Sequence, residues 1–153
     1  MHSDPPAAGA AQLLDRYLLS LDDDDKLDDT WARALFTDDA DVAFPMSRHR
    51  GLAGLAQWHR DALAAFAGTQ HLGGPAVLDP LGPDRARLRA NLVSTHVHHP
   101  GTRGGPLFTT GTFVTGEARR TADGWRLAAL SFRVVWTTGT PPVAPPATPG
   151  EAP

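Results

Sequence analysis

Cysteine is absent from the 153 residues, which excludes disulfides, thiolate nucleophiles and Cys-ligated zinc. Lysine occurs once, at Lys26, and tyrosine once, at Tyr17; Glu117 and Glu151 are the only glutamates. A catalytic lysine is therefore not expected, and carboxylate chemistry must come from aspartate. No apolar run reaches the ~20 residues that span a bilayer. The opening Met-His-Ser-Asp has neither the basic start nor the apolar middle of a secretory leader, so the expected location is cytoplasmic. The 14 Lys and Arg are outnumbered by 17 Asp and Glu, a net charge of −3 that argues against a nucleic-acid partner. HExxH, a Walker loop, GxGxxG and GxSxG are all missing, which removes the nucleotide-binding and serine-hydrolase readings. What the chain does have is seven histidines and 15 aspartates in an ordinary globular composition, 41% hydrophobic and 20% charged. Its length suits one domain with a proper core.

The expected organisation is a flexible N-terminus over 1–9, one domain over 10–138, and a disordered Pro-rich tail over 139–153. Leu13, Leu14, Tyr17, Leu18 and Leu21 share a helical stripe. The run Asp22–Asp25 ends that helix, because carboxylates oppose the negative C-terminal dipole, and reads as a solvated loop. Asp28 and Asp29 open a second short helix, with Trp31, Leu35 and Phe36 on its buried side. Thr37-Asp38-Asp39 stops it, and Asp41–Phe44 is a short strand. A third helix follows Gly51, with Leu52, Leu55, Trp58, Ala62, Leu63 and Phe66 in phase and Gly68 closing it. Strands then follow at Pro75–Leu78, from Arg85, at Leu107–Arg120 and at Trp125–Trp136. In the second of these, Arg85, Arg87, Arg89 and Asn91 alternate with Ala86, Leu88, Ala90, Leu92 and Ser94. The class is α+β, with helices on one side of an antiparallel sheet.

His96 shares the inward parity of Ala90, Leu92 and Ser94, whose small size leaves room beside an imidazole. That placement suits a general acid or base, and equally a hydrogen-bonded core histidine. His98 shares the parity near a loop, and His99 is out of phase. His71, in Thr-Gln-His-Leu-Gly, enters the sheet after the third helix. Local pattern alone makes Asp28 a helix cap and Tyr17 a core residue. A metal site built on His96-Val-His98 would want a carboxylate nearby. The chain continues His-Pro-Gly-Thr-Arg-Gly-Gly instead, so no metal is expected.

The chain as a whole resembles the SnoaL-like branch of the NTF2-like superfamily, which includes scytalone dehydratase, ketosteroid isomerase and the polyketide cyclases. The likeness spans about Gln12–Gly139. It is carried by Arg-Tyr-Leu-Leu-Ser-Leu at 16–21, Asp28 followed eight residues later by Phe36 in Ala-Leu-Phe-Thr-Asp-Asp-Ala, Thr-Gln-His-Leu-Gly at 69–73, and Arg-Thr-Ala-Asp-Gly-Trp-Arg-Leu leading to Trp136. The resemblance implies a cone of three N-terminal helices packed in a strongly curved, mostly antiparallel sheet, with a deep apolar pocket. It also implies catalytic roles. His71 resembles the first catalytic histidine of the dehydratase, His96 falls near the second, Asp28 resembles the supporting aspartate, and Tyr17 matches the oxyanion tyrosine of the isomerase. Candidates for the pocket lining are Trp31, Phe44, Trp58, Leu92, Phe113 and Phe132. Phe44 stands near the isomerase's base aspartate and cannot accept a proton. Phe44 and Leu27 stand near the dehydratase's water-holding tyrosines. The expectation is a cofactor-free dehydratase, isomerase or cyclase acting on a small apolar or aromatic, polyketide-like molecule, and a homodimer formed across the open sheet face. The alternative is a non-catalytic module that binds a small ligand or only dimerises.

Overall fold

The computed structural model describes residues 6–23 and 26–142. The expectations for 1–5, for Asp24 and Asp25 and for the tail from 143 onward lie outside the described residues. Three helices, α1 (Pro6–Asp22), α2 (Asp29–Leu35) and α3 (Leu55–Ala64), join seven strands: β1 (Phe36–Ala43), β2 (Arg48–Arg50), β3 (Gly68–Gly73), β4 (Val77–Pro80), β5 (Arg85–Val97), β6 (Leu107–Thr121) and β7 (Gly124–Gly139). Helix α1 begins ahead of the expected domain edge at residue 10. The strands form one curved, unclosed sheet in the order β2-β1-β7-β6-β5-β3, with β4 on the same edge of β5 as β3. All pairings are antiparallel except β1 with β7.

The curvature has a local cause. The β6–β7 ladder shifts register between Gly111 and Thr112 and again between Glu117 and Ala118, and extra residues in one strand bend the pair and raise its twist. The concave face carries the alternation read from the sequence. Ala86, Leu88, Ala90, Leu92 and Ser94 are buried, while Arg85, Arg87 and Asn91 are exposed. The stripe of α1 (Leu13, Leu14, Tyr17 and Leu18) packs there with Val114, Leu127 and Leu130. Phe36 belongs to β1 rather than to α2, and Thr37–Asp39 continue that strand instead of ending a helix. The short β2 and β3 lie where no strand was expected. No helix among the described residues is long and apolar enough to cross a membrane.

Candidate active site

Histidine 71 lies on β3, on the same strand face as Thr69, where α1 ends. Its ring is held by a carboxylate, and that carboxylate belongs to Asp22, the last residue of α1. The imidazole Nδ1–H donates to Asp22 Oδ1 at 2.6 Å, the His71 backbone N–H donates to Oδ2 at 2.7 Å, and the Thr69 hydroxyl donates to Oδ1 at 2.9 Å. Charge-assisted bonds of this kind are short and strong, and here they offset the cost of placing an anion at a helix C-terminus. Both side chains are largely enclosed, with 10% of His71 and 15% of Asp22 accessible. With Nδ1 committed to Asp22, the tautomer is fixed and Nε2 carries the lone pair.

The His96 ring lies across from His71, with ring centroids 6.3 Å apart and planes at 84°. In the ladder Ser94 pairs with His71 and Thr69 with His96, so the two histidines are diagonal neighbours on the concave face. Phe66 and Phe108 flank His96 at 4.5 and 5.6 Å. Its Nδ1–H donates to the Phe108 carbonyl at 2.9 Å, since a carbonyl can only accept, which leaves Nε2 free. Burial holds His96 below the usual histidine range, and the imidazoles of His71 and His98 push the same way, against the Phe108 carbonyl and Asp22. His96 is thus a neutral base at pH 7. His98 donates from Nε2 to the Thr140 carbonyl at 2.6 Å, and His99 is exposed.

Two expected catalytic residues lie elsewhere. Asp28 is exposed and caps α2, accepting from the Trp31 backbone N–H at 2.9 Å; it has no bond to His71. It stands immediately before the first residue of α2, and a cap must face that helix's free N–H groups. Tyr17 is fully enclosed, and its phenol is 2.9 Å from His59 Nε2. His59 Nδ1–H donates to the Leu55 carbonyl at 2.9 Å, so Nε2 must accept and the Tyr17 hydroxyl must donate. Burial pushes the Tyr17 phenol up and pulls His59 down to about 4. This neutral pair belongs to the core.

The lining candidates divide. Trp31, Phe44, Trp58 and Phe132 gather inside the cone around Tyr17, Phe36 and His59. Phe44 stacks on Trp58 at 4.3 Å and meets Phe132 edge-on at 5.4 Å, while Trp31 sits 5.0 Å from His59. The Trp31 indole N–H also donates to the Ser20 hydroxyl at 2.9 Å, tying α2 to α1. Leu92 is buried in the core, 3% exposed. Phe113 points the other way. It pairs with Asn91 and Arg133 on the convex face, where the Arg133 guanidinium lies 5.4 Å from its ring. A polar groove of about 400 Å³, lined by residues including Arg33, Asp39, Arg119 and Arg126, contains none of the expected site residues. It lies toward the far end of β6, roughly 35 Å along the strand from the His96 neighbour Phe108.

Asp22 and Thr69 were missed from sequence, although the signal for Asp22 was present. It follows Leu14 and Leu18 at intervals of four, in line with the buried stripe, and the acidic run hid that phase. Thr69 has the parity of His71, but only an assigned strand makes parity meaningful.

A family described as the SnoaL-like domain matches residues 8–131. Among solved structures, a protein from Kribbella flavida is 25% identical, with 87% of this chain and 93% of that one covered and a TM-score of 0.77. A candidate scytalone dehydratase from Novosphingobium aromaticivorans is 18% identical, with 95% and 93% covered and a TM-score of 0.72. An NTF2-like superfamily protein from Salmonella enterica is 18% identical, with 95% and 97% covered and a TM-score of 0.70. No curated protein matches the chain.

Proposed function

The chain belongs to the SnoaL-like family of the NTF2-like superfamily, and on that premise we propose that it is a cofactor-independent acid–base enzyme. Its reaction is a dehydration, isomerisation or cyclisation of a small apolar carbonyl or phenolic molecule of polyketide type. One observation carries the reading: an enclosed Asp22–His71 pair leaves one imidazole nitrogen bare opposite a second neutral imidazole. A carboxylate behind a histidine fixes its tautomer and stabilises the imidazolium formed when Nε2 takes a proton. In this proposal Asp22, not Asp28, supports the base. The neutral His96 accepts a hydrogen bond from a substrate hydroxyl instead of delivering a proton. His71 itself returns the proton it has removed, to carbon in an isomerisation or to a departing hydroxyl in a dehydration. The dehydratase name borne by one structural neighbour agrees with such chemistry.

The test requires no knowledge of the natural substrate. The protein should exchange the acidic C–H of 2-tetralone, a small aromatic-fused ketone, for deuterium in D2O, followed by NMR. His71→Ala and Asp22→Asn should each slow exchange by about 100-fold or more, the usual scale of a positioned base. Exchange by the protein no faster than by free imidazole at equal concentration would sink the proposal. A ligand-binding module, the alternative, would bind the ketone without exchanging it.

A homodimer is the second part of the proposal. On the convex face, Leu72, Val93, Gly111 and Trp136 form one cross-strand row, and its three large side chains are well exposed. The adjacent row of Gln70, Thr95, Thr109 and Thr138 is uncharged too, so a second copy can approach without like-charge repulsion.

A further inference from the structure

We propose that the Ser94 hydroxyl is the donor that holds the substrate's carbonyl oxygen; the proposal rests on the acid–base reading of the same site. Ser94 lies on β5 between His71 of β3 and Thr110 of β6 in one cross-strand row, two residues from His96. It is 5% exposed, yet among the described residues no group hydrogen-bonds to its hydroxyl. Arg89 Nε is the fully enclosed side-chain nitrogen or oxygen that lacks a partner there, so the Ser94 oxygen, also without one, still opens onto accessible space. A nearly enclosed hydroxyl with no partner in the protein is available to pair with whatever enters the space it faces. Ala86 and Ala90 occupy the same face of the strand and offer no such group.

The neighbours decide what Ser94 can pair with. His71 spends its Nδ1–H on Asp22 and His96 spends its own on Phe108, so both offer the site only lone pairs. The Tyr17 phenol is spent on His59. A site with two bases needs a donor where negative charge develops, and Ser94 supplies it between them. His71 Nε2 takes the α-proton, and the C–H electron pair moves through the α-carbon onto the carbonyl oxygen as an enolate. Ser94 donates a hydrogen bond to that oxygen and keeps its proton. The imidazolium then returns its proton to carbon or to a β-hydroxyl that leaves as water, so atoms and charge balance with no co-reactant.

The experiment compares variants in 2-tetralone exchange and in binding 2-naphthol, which has the same skeleton with its oxygen as a stable enol. Ser94→Ala should lower the exchange kcat about 10- to 100-fold and weaken 2-naphthol binding about 10-fold, with the KM for 2-tetralone changed less than about threefold. Its Tm should equal or exceed that of the wild type, because no internal bond is lost. Ser94→Thr, which keeps a hydroxyl, should recover most of the rate. Three results would overturn the assignment: wild-type exchange by Ser94→Ala, loss of Tm together with rate, or the whole effect appearing in Thr110→Val instead. A wild-type protein lacking His71-dependent exchange overturns the acid–base reading itself, and the Ser94 role with it.

Discussion

Asp22 accepts three hydrogen bonds from two residues of β3, so a single carboxylate serves both the base and the junction of helix with sheet. Asp22→Asn should therefore lose stability, by about 1–3 kcal/mol, along with exchange activity, whereas His71→Ala loses mainly activity. Urea melts of the two variants separate these effects. His59 gives a second prediction at this scale. Its folded-state pKa is depressed from 6.5 to about 4, so the unfolded chain binds the proton more readily within that window. Its contribution to stability is complete above pH 6.5 and falls as the pH drops toward 4, by up to ~3 kcal/mol. The groups facing it are Tyr17 and, farther off, His49. His59→Gln should flatten the decline in urea-melt stability between pH 7 and pH 4.5, leaving a smaller slope from His96, whose shift has the same sign. Of the site, His71 and His96 were legible because strand parity and the Thr-Gln-His context each mark one position. The partner of His71 was not. Asp22 and Asp28 stand on either side of the loop between α1 and α2, more than 40 residues before His71, and only the docking of α1 on β3 decides between them. The local stripe read Tyr17 as a core residue and the resemblance to the isomerase gave it an oxyanion role; its partner His59, 42 residues away, lay beyond any local pattern.

Helix α2 is seven residues long, too short to persist without its cap and its packing. Asp28→Ala should cost about 1 kcal/mol of stability and leave 2-tetralone exchange within about twofold of wild type, and Asp28→Ser should restore the loss. An exchange rate that collapsed in Asp28→Ala with the melt unchanged would return Asp28 to the site. The elements themselves were legible wherever the period is long. Helix α1 and strands β5, β6 and β7 each run for 13 or more residues, and their alternation or stripe repeats several times. The strands left out are short or disguised. Strand β2 is three residues with arginine at both ends, so no apolar side marks it. Strand β3 begins and ends in glycine, which locally reads as a loop, and its place in the sheet comes from pairing with β5. The start of β1 was assigned to α2 because Phe36 fits the phase of a helix as well as that of a strand.

For the whole molecule, the uncharged convex rows should make the 16.3 kDa chain run at twice its mass in sedimentation. Trp136→Glu should return it to a monomer with exchange retained, since Trp136 lies on the face opposite His71 and His96. A wild-type monomer across micromolar concentrations would remove the dimer. The general architecture was within reach of the sequence because helices come first and paired strands last. What lay outside it was the parallel seat of β1 against β7, where Val42 meets Leu130 across most of the chain. That seat has a consequence for synthesis. While the ribosome is still making β6, the strand that β1 needs does not exist, and Phe36, Ala40 and Val42 have no sheet to join. The N-terminal third must wait with its apolar side uncovered until the last strand emerges, so this domain closes in one late step, and a nascent chain halted before residue 124 should be a client for holding chaperones.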